Sequence, residues 1–196
     1  MDVVALAKVC GLASSGIFAG YTWALSHAAV PAILFAPDAL AAREWRYQYL
    51  MGFHISRPMC VINGLSFGFL AYHAPGGSLL RYLYILAASA SASGVPYALT
   101  FLRRTNGALS RKADRLAGPG GGEMALTYAF NEKRSIDRDG KMSTAEAIKR
   151  WQWHNYVRTW VLVLGTVAGA HAQLKFGGLE ALAKSPGGSL EKPPRP

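Results

Sequence analysis

Two arginines stand where arginine is costly. Arg57 immediately precedes the uncharged stretch Pro58–Leu80, and Arg158 lies inside the otherwise uncharged stretch Trp153–Leu174. On membrane-insertion scales an arginine at the centre of an apolar helix costs about 2.5 to 3.5 kcal/mol. Neither stretch holds an acidic residue to neutralise it. The partners are then carbonyls, Asn amides, aromatic faces, lipid phosphates or an anionic ligand. Three readings stay open: both guanidinium groups snorkel to headgroups, they bind a ligand, or they pair with loop carboxylates. His27, His54 and His154, Asn106 and Asn155, and the indoles of Trp23 and Trp151 fall near the same ends of the apolar stretches. An imidazole titrates close to neutral pH and suits proton transfer, while an indole stacks on flat rings. Singly, each histidine reads as a hydrogen-bonded core or interfacial residue; the clustering is what points to a site.

The elements that must position these groups are apolar helices. The 196-residue chain is 51% hydrophobic and only 16% charged, against roughly 25% charged in soluble domains. A disordered or fibrous chain is excluded. Val9–Pro37, Pro58–Leu80 and Tyr82–Leu102 are free of Asp, Glu, Lys and Arg over 29, 23 and 21 residues, and roughly 20 residues cross a bilayer. The expected fold is all-α: an integral membrane, antiparallel four-helix bundle with spans at 9–31, 54–74, 80–102 and 153–174. A polar loop over 103–152 joins the third and fourth spans. Residues 1–175 form the transmembrane domain, and 176–196, rich in Pro, Gly and Lys, an extended tail. The first stretch is too long for a signal-peptide core and is expected to stay in the mature protein.

Helices in lipid associate through small residues. Gly16–Gly20, Gly64–Gly68 and Gly165–Gly169 are GxxxG pairs, and Ala90–Gly94 is an equivalent. They predict the faces that pack, with Trp23 and His27 extending the Gly16–Gly20 face by helical spacing. Antiparallel threading then carries His27, His54, Arg57, Asn106, Trp151, His154, Asn155 and Arg158 to one mouth of the bundle. Residues 103–152 hold eleven basic and six acidic residues, which puts that side in the cytoplasm. The net charge of +10 belongs to topology, and no motif suggests nucleic acid.

Trp45, Tyr47, Tyr49 and Phe53 read as an interfacial aromatic belt. Gly118–Gly122 is a flexible break without the Lys-Ser or Lys-Thr ending of a phosphate loop. Asp137, Asp139, Gly140 and Glu146 match calcium-loop positions 3, 5, 6 and 12, but Ser135 stands at position 1 where the motif needs aspartate, so a polar turn is expected. Ser143 and Glu146 form a capping box for a helix leading into Trp151. Cys10 and Cys60 read as small apolar residues, and no metal or other cofactor is expected.

Ser15-Gly-Ile-Phe-Ala-Gly20 with Pro31, Pro96-Tyr-Ala-Leu-Thr100 continuing to Thr105-Asn-Gly-Ala-Leu109, and Trp151-Gln-Trp-His-Asn-Tyr-Val-Arg158 together resemble the anthrone-oxygenase-like family of small four-span membrane proteins. The resemblance covers the chain except for an insert near 118–148 and the tail. It implies oxidation of an anthrone-type aromatic polyketide to a quinone with O2, without a recognised metal or flavin. In that chemistry His54 or His154 would remove a proton, and Arg57 or Arg158 would hold the anion. Asn106 and Asn155 would bond a carbonyl or peroxide, and Trp23, His27 and Trp151 would contact the rings. Expected partners are the lipid bilayer and a hydrophobic aromatic substrate with O2. The alternative is a non-catalytic accessory subunit of a larger complex, binding lipid and neighbouring membrane subunits; a quinone-binding or carrier protein is a third reading. The endoplasmic reticulum or another internal membrane is the expected location. A mitochondrial inner membrane would require internal targeting, since Met1–Cys10 contains no arginine.

Overall fold

A computed structural model describes residues 2–118 and 129–183, with side chains described up to 175. The described residues form five helices and no strand: α1 (Val3–Ile33), α2 (Asp38–His73), α3 (Leu79–Ala117), α4 (Lys133–Lys141) and α5 (Thr144–Ala183). The glycine break at 119–122 and the tail beyond 183 lie outside the described residues. α1 packs against α2 and α5, and α3 packs against the same two, closing a ring of four long helices. Neighbours run in opposite senses. On α1 and α5, Lys8 O accepts from Gln173 while Thr22 O accepts from Asn155; on α3 and α5, Ala90 meets Gly165 while Tyr97 meets His154.

α1 and α3 are long and apolar enough to cross a membrane. At 1.5 Å per residue, the 36-residue α2 and 40-residue α5 are about 54 and 60 Å long, well beyond the roughly 30 Å of a bilayer's hydrocarbon core. Their extra length builds a headpiece at one end of the ring. The segment expected to be a polar loop is largely helical: α3 continues through Arg103–Ala117, and α4 and the start of α5 pack around it. Thr105, Asn106, Gly107, Ala108, Leu109 and Ser110 are all buried there. Small side chains permit this close packing. A Cβ on Gly107 would come within 2.5 Å of both Ala129 O and Ser135 Oγ. Arg46–Asp114 at 3.0 Å and the cations Lys112 (3.1 Å) and Arg115 (2.7 Å) on Asp139 fasten the headpiece, with Arg46 and Lys112 buried. Asp139 therefore serves an ion cluster, and Ser135–Glu146 is α4 plus a helix cap rather than a calcium loop.

The core is divided along the ring. Phe67, Leu70, Tyr84, Ala87, Ala168 and Ala172 fill one end, Phe18, Ala19, Cys60 and Leu162 the middle, and Leu25, Trp45, Leu102, Leu109, Ile148 and Trp151 the headpiece junction. Trp45 is fully buried, so it belongs to the core and not to the aromatic belt expected from its sequence position. Tyr47 is exposed. The small-residue signals also divide. A Cβ on Gly165 would stand 2.9 Å from Ala90 Cβ and one on Gly169 2.7 Å from the Phe67 ring, so this pair makes the tight approach. Gly16 and Gly20 are exposed and would meet nothing within 4 Å. α1 instead packs through Gly11, Ser14, Ser15, Phe18, Ala19 and Thr22.

Two prolines reshape the ladders. Pro31 and Pro96 lie beside π-helical turns at Leu25–Ala29 and Ala98–Leu102, each of which adds one residue to a turn. At the first, Val30 N–H reaches back to Leu25 O, leaving Ser26 O without its α-helical donor. Gln152 Nε2 and Tyr156 OH on α5 donate to that oxygen at 2.7 and 3.2 Å. The bulge thus becomes the polar contact that holds α1 on α5.

Adding a methyl group at Gly165 (Gly165→Ala) is expected to cost about 1–3 kcal/mol by overpacking. Gly16→Ala and Gly20→Ala should be neutral or stabilise by up to about 1 kcal/mol through helix propensity; unfolding midpoints in detergent measure both. The capping box gives a pH effect. Ser143 N–H and Oγ donate to Glu146 Oε2, and Glu146 N–H donates to Ser143 Oγ, which holds the Glu146 carboxyl below its ordinary pKa. A depressed carboxylate stabilises the fold above its unfolded pKa and loses that contribution as pH falls through the folded one. Protection factors of the amides in the first turn of α5, corrected for intrinsic exchange, should fall across that acid range, and Glu146→Gln should abolish that fall.

Candidate functional site

The headpiece junction contains a cleft of about 130 Å3 between α2, α3 and α5, closed from the α1 side by Leu25. Its α2 wall is an aromatic series. Trp45 and Tyr49 stack with centroids 5.2 Å apart, Tyr49 and Phe53 follow at 6.5 Å, and the Arg57 guanidinium lies 3.6 Å above the Phe53 ring. These residues recur every fourth position, so they share one helix face. Tyr49, Phe53 and Arg57 line the cleft, and Gln48, Gly52 and Ser56 complete that wall. On α3, Gly94, Val95, Ala98, Leu99 and Leu102 line the opposite wall. The second π-helical turn lies here, ahead of the cleft-lining Asn106. α5 closes the site with Trp151 and Arg158.

Among the described residues no carboxylate lines the cleft. Arg158 Nε and Asn106 Oδ1 are buried and without hydrogen-bond partners among the described residues. A buried donor or acceptor left unpaired costs about 1–3 kcal/mol, and more when charged. A ligand offering a negative oxygen to Arg158 and a hydroxyl hydrogen to Asn106 would remove both penalties. Tyr21 adds a third such atom: its buried hydroxyl is also unpartnered and lies 3.7 Å from the Cβ position of the cleft-lining Gly52. Glycine at 52 leaves open the path between this hydroxyl and the cleft.

The sequence-derived candidates fall into two groups. Arg57, Arg158, Asn106 and Trp151 converge on the cleft. His54 is exposed beside Phe53, with ring centroids 6.0 Å apart. His154 Nδ1 shares a 2.9 Å hydrogen bond with Tyr97 OH. Trp23 and His27 stack at 5.3 Å on the outside of α1, where Trp23 also meets Tyr156 and Trp160 edge-on. This follows from the outward direction of the Gly16–Gly20 face. Asn155 is fully buried and joins α1 to α5 through Thr22 O at 3.1 Å and Ser26 Oγ at 2.7 Å. Tyr49 and Phe53, read as belt residues from composition, could have been found as site residues by their four-residue spacing with Arg57. Tyr21 had no such signal, since its hydroxyl is brought near the cleft by a glycine in another helix.

Comparison with known proteins adds a family. The family model described as Anthrone oxygenase matches residues 45–168, more than half of the chain. The anthrone oxygenase encC of Aspergillus fumigatus is 28% identical over 179 residues, covering 88% of this chain and 95% of that protein. No solved structure matches. All four residues that converge on the cleft lie within the family match.

The two asparagines should separate under mutation. Asn155→Ala removes two interhelical bonds and is expected to cost about 1–3 kcal/mol. Asn106→Ala should cost less than about 1 kcal/mol, because its carbonyl oxygen has no bond to lose. Thermal unfolding in detergent, followed by tryptophan fluorescence, gives both values.

Proposed function

The chain belongs to the anthrone oxygenase family, and from that premise we propose that it is a membrane-embedded enzyme oxidising an anthrone-type phenolic aromatic to the quinone with O2. The supporting observation is the pairing of Arg158, whose buried Nε has no hydrogen-bond partner among the described residues, and an unsatisfied Asn106 Oδ1 with an aromatic wall in one cleft. In the proposed membrane placement all four long helices span, as 9–31, 54–74, 80–102 and 153–174 within one domain over 1–175. The headpiece lies on the cytoplasmic side of an internal membrane.

An apolar protein cavity of roughly 150 Å3 holds a benzene-sized ring, so the cleft's 130 Å3 fits one ring of a three-ring substrate. The remaining rings lie between Arg57 and Leu99 at the mouth, both exposed. Tyr49, Phe53 and Trp151 supply stacking surface. The anthrone methylene is acidic because its anion is an aromatic phenolate. Arg158, assisted by Arg57, stabilises that oxygen, and Asn106 Oδ1 accepts from a neighbouring phenol. The proton leaves through water at the mouth, with His54 and His154 as the candidate bases. The carbanion transfers an electron to O2, and recombination with protonation gives a carbon-bound hydroperoxide. Loss of water then leaves the quinone carbonyl. The balance is one anthrone and one O2 to one anthraquinone and one water.

Purified protein given an anthrone under O2 should form quinone above the spontaneous rate, read by absorbance and oxygen consumption. Arg158→Ala is expected to lower kcat/KM by about 100-fold or more, the size of losing one oxyanion-stabilising group; Arg158→Lys should retain part of the activity. A wild-type rate equal to the spontaneous rate would refute the assignment.

A further inference from the structure

We infer that the headpiece carries a second, phosphoryl-binding site formed by Arg104, Arg134, Arg138 and Lys141. Arg134, Arg138 and Lys141 fall at i, i+4 and i+7 on α4 and so share one face of that helix. With Arg104 on α3 they line an open cavity of about 380 Å3, in which Asp137 is the one carboxylate among the described residues. Like charges at this spacing repel; Asp137 offsets them only in part, and the other acidic residue of α4 is engaged elsewhere. Asp139 points to the other side of α4, where it takes Lys112 and Arg115. Among the described residues no ion pair joins a carboxylate to Arg104, Arg134, Arg138, Lys141 or the neighbouring Arg150.

Arg138 is the organising group. It is half-buried, and its Nη1 donates to the fully buried Thr105 Oγ1 at 2.8 Å, which fixes the guanidinium plane at the cavity wall. Burial and the fields of Arg150 and Arg104 lower its pKa from the ordinary guanidinium value, the response expected of a cation held among cations without a counterion. A phosphoryl group answers this arrangement, because it carries up to two charges and three acceptor oxygens that several guanidinium groups can share. The position bears on the source of that phosphate. Arg104 lies two residues beyond the uncharged stretch Tyr82–Leu102, and Arg150 three residues before Trp153–Leu174. In the proposed membrane placement both stand at headgroup depth, where a lipid phosphate is at hand; a soluble phosphomonoester offers the same chemistry. The site does not depend on the oxygenase assignment.

The full chain is reconstituted in nanodiscs of phosphatidylcholine with and without phosphatidic acid, and native mass spectrometry counts retained lipid with and without millimolar inorganic phosphate. Wild type should retain phosphatidic acid in preference to phosphatidylcholine. The Arg104→Ala/Arg134→Ala variant, altered at two exposed residues, should lose that preference by about ten- to thirty-fold. Arg104→Lys/Arg134→Lys should keep most of it, which separates loss of charge from loss of fold. Lipid that survives inorganic phosphate assigns the site to a headgroup, and lipid displaced by it assigns the site to a soluble phosphoryl ligand; either supports the site. Equal retention of the two lipids by wild type, with no phosphate binding, would overturn it, as would undiminished retention by the alanine variant.

Discussion

The contact between the bulged turn of α1 and residues 152–156 of α5 sets the geometry of the whole headpiece junction. Pro31 sits directly after the π-helical turn in which Ser26 O loses its usual donor, and Gln152 and Tyr156 replace that donor. Asn155, between them in sequence, bonds Ser26 Oγ and Thr22 O. Four hydrogen bonds from three residues therefore converge on little more than one turn of α1. In an apolar surrounding such bonds have no water to compete with them, so sliding or rotating α5 would leave several polar groups unpaired at once. Arg158 is three residues beyond Asn155 and inherits this register. Its guanidinium is held in the cleft by polar contacts that do not involve it.

The cleft's second wall has a different origin. The Trp45, Tyr49, Phe53 and Arg57 series is continuous along α2, so its aromatic faces are aligned by helix periodicity alone. Trp45 anchors the series in the core, and Arg57 ends it at the exposed mouth. Arginine over a ring keeps its charge partly desolvated without a carboxylate. An anionic aromatic ligand would therefore meet a cation at the mouth and another at the closed end, with stacking surface between.

The helical content was legible from the long uncharged runs, of which those in α1 and α3 give helices long and apolar enough to cross a membrane. Arg57, Arg158, Asn106 and Trp151 were also legible, since each is a polar or aromatic residue near the end of an apolar run. What failed was the choice of helix face. Gly16 and Gly20 matched the packing motif as well as Gly165 and Gly169 did, yet only the latter pair meets a neighbour closely. Spacing defines a face without saying what lies opposite, and Trp23 and His27 were carried outward with the wrong one. The stretch after Leu102 reads as loop because its charges suggest solvent, yet it is largely helical. Arg103 pairs with Glu132, and Arg111, Lys112 and Arg115 gather on Asp139, while Thr105–Ser110 is buried beside them.

The π-helical turn in α3 has a bearing on how such a chain can change over evolutionary time. A turn of this kind carries one more residue than the α-helical turn it replaces, and one residue is about 100° of rotation in a helix of 3.6 residues per turn. Everything after Leu102, including Asn106, is oriented by that extra residue. Loss of one codon between Ala98 and Leu102 would leave the apolar part of α3 in place and turn the headpiece segment through more than a quarter circle. Relatives that gain or lose a residue at this point would present a different side chain where Asn106 now stands, so ligand preference could diverge by a single insertion while every other wall of the cleft stayed the same.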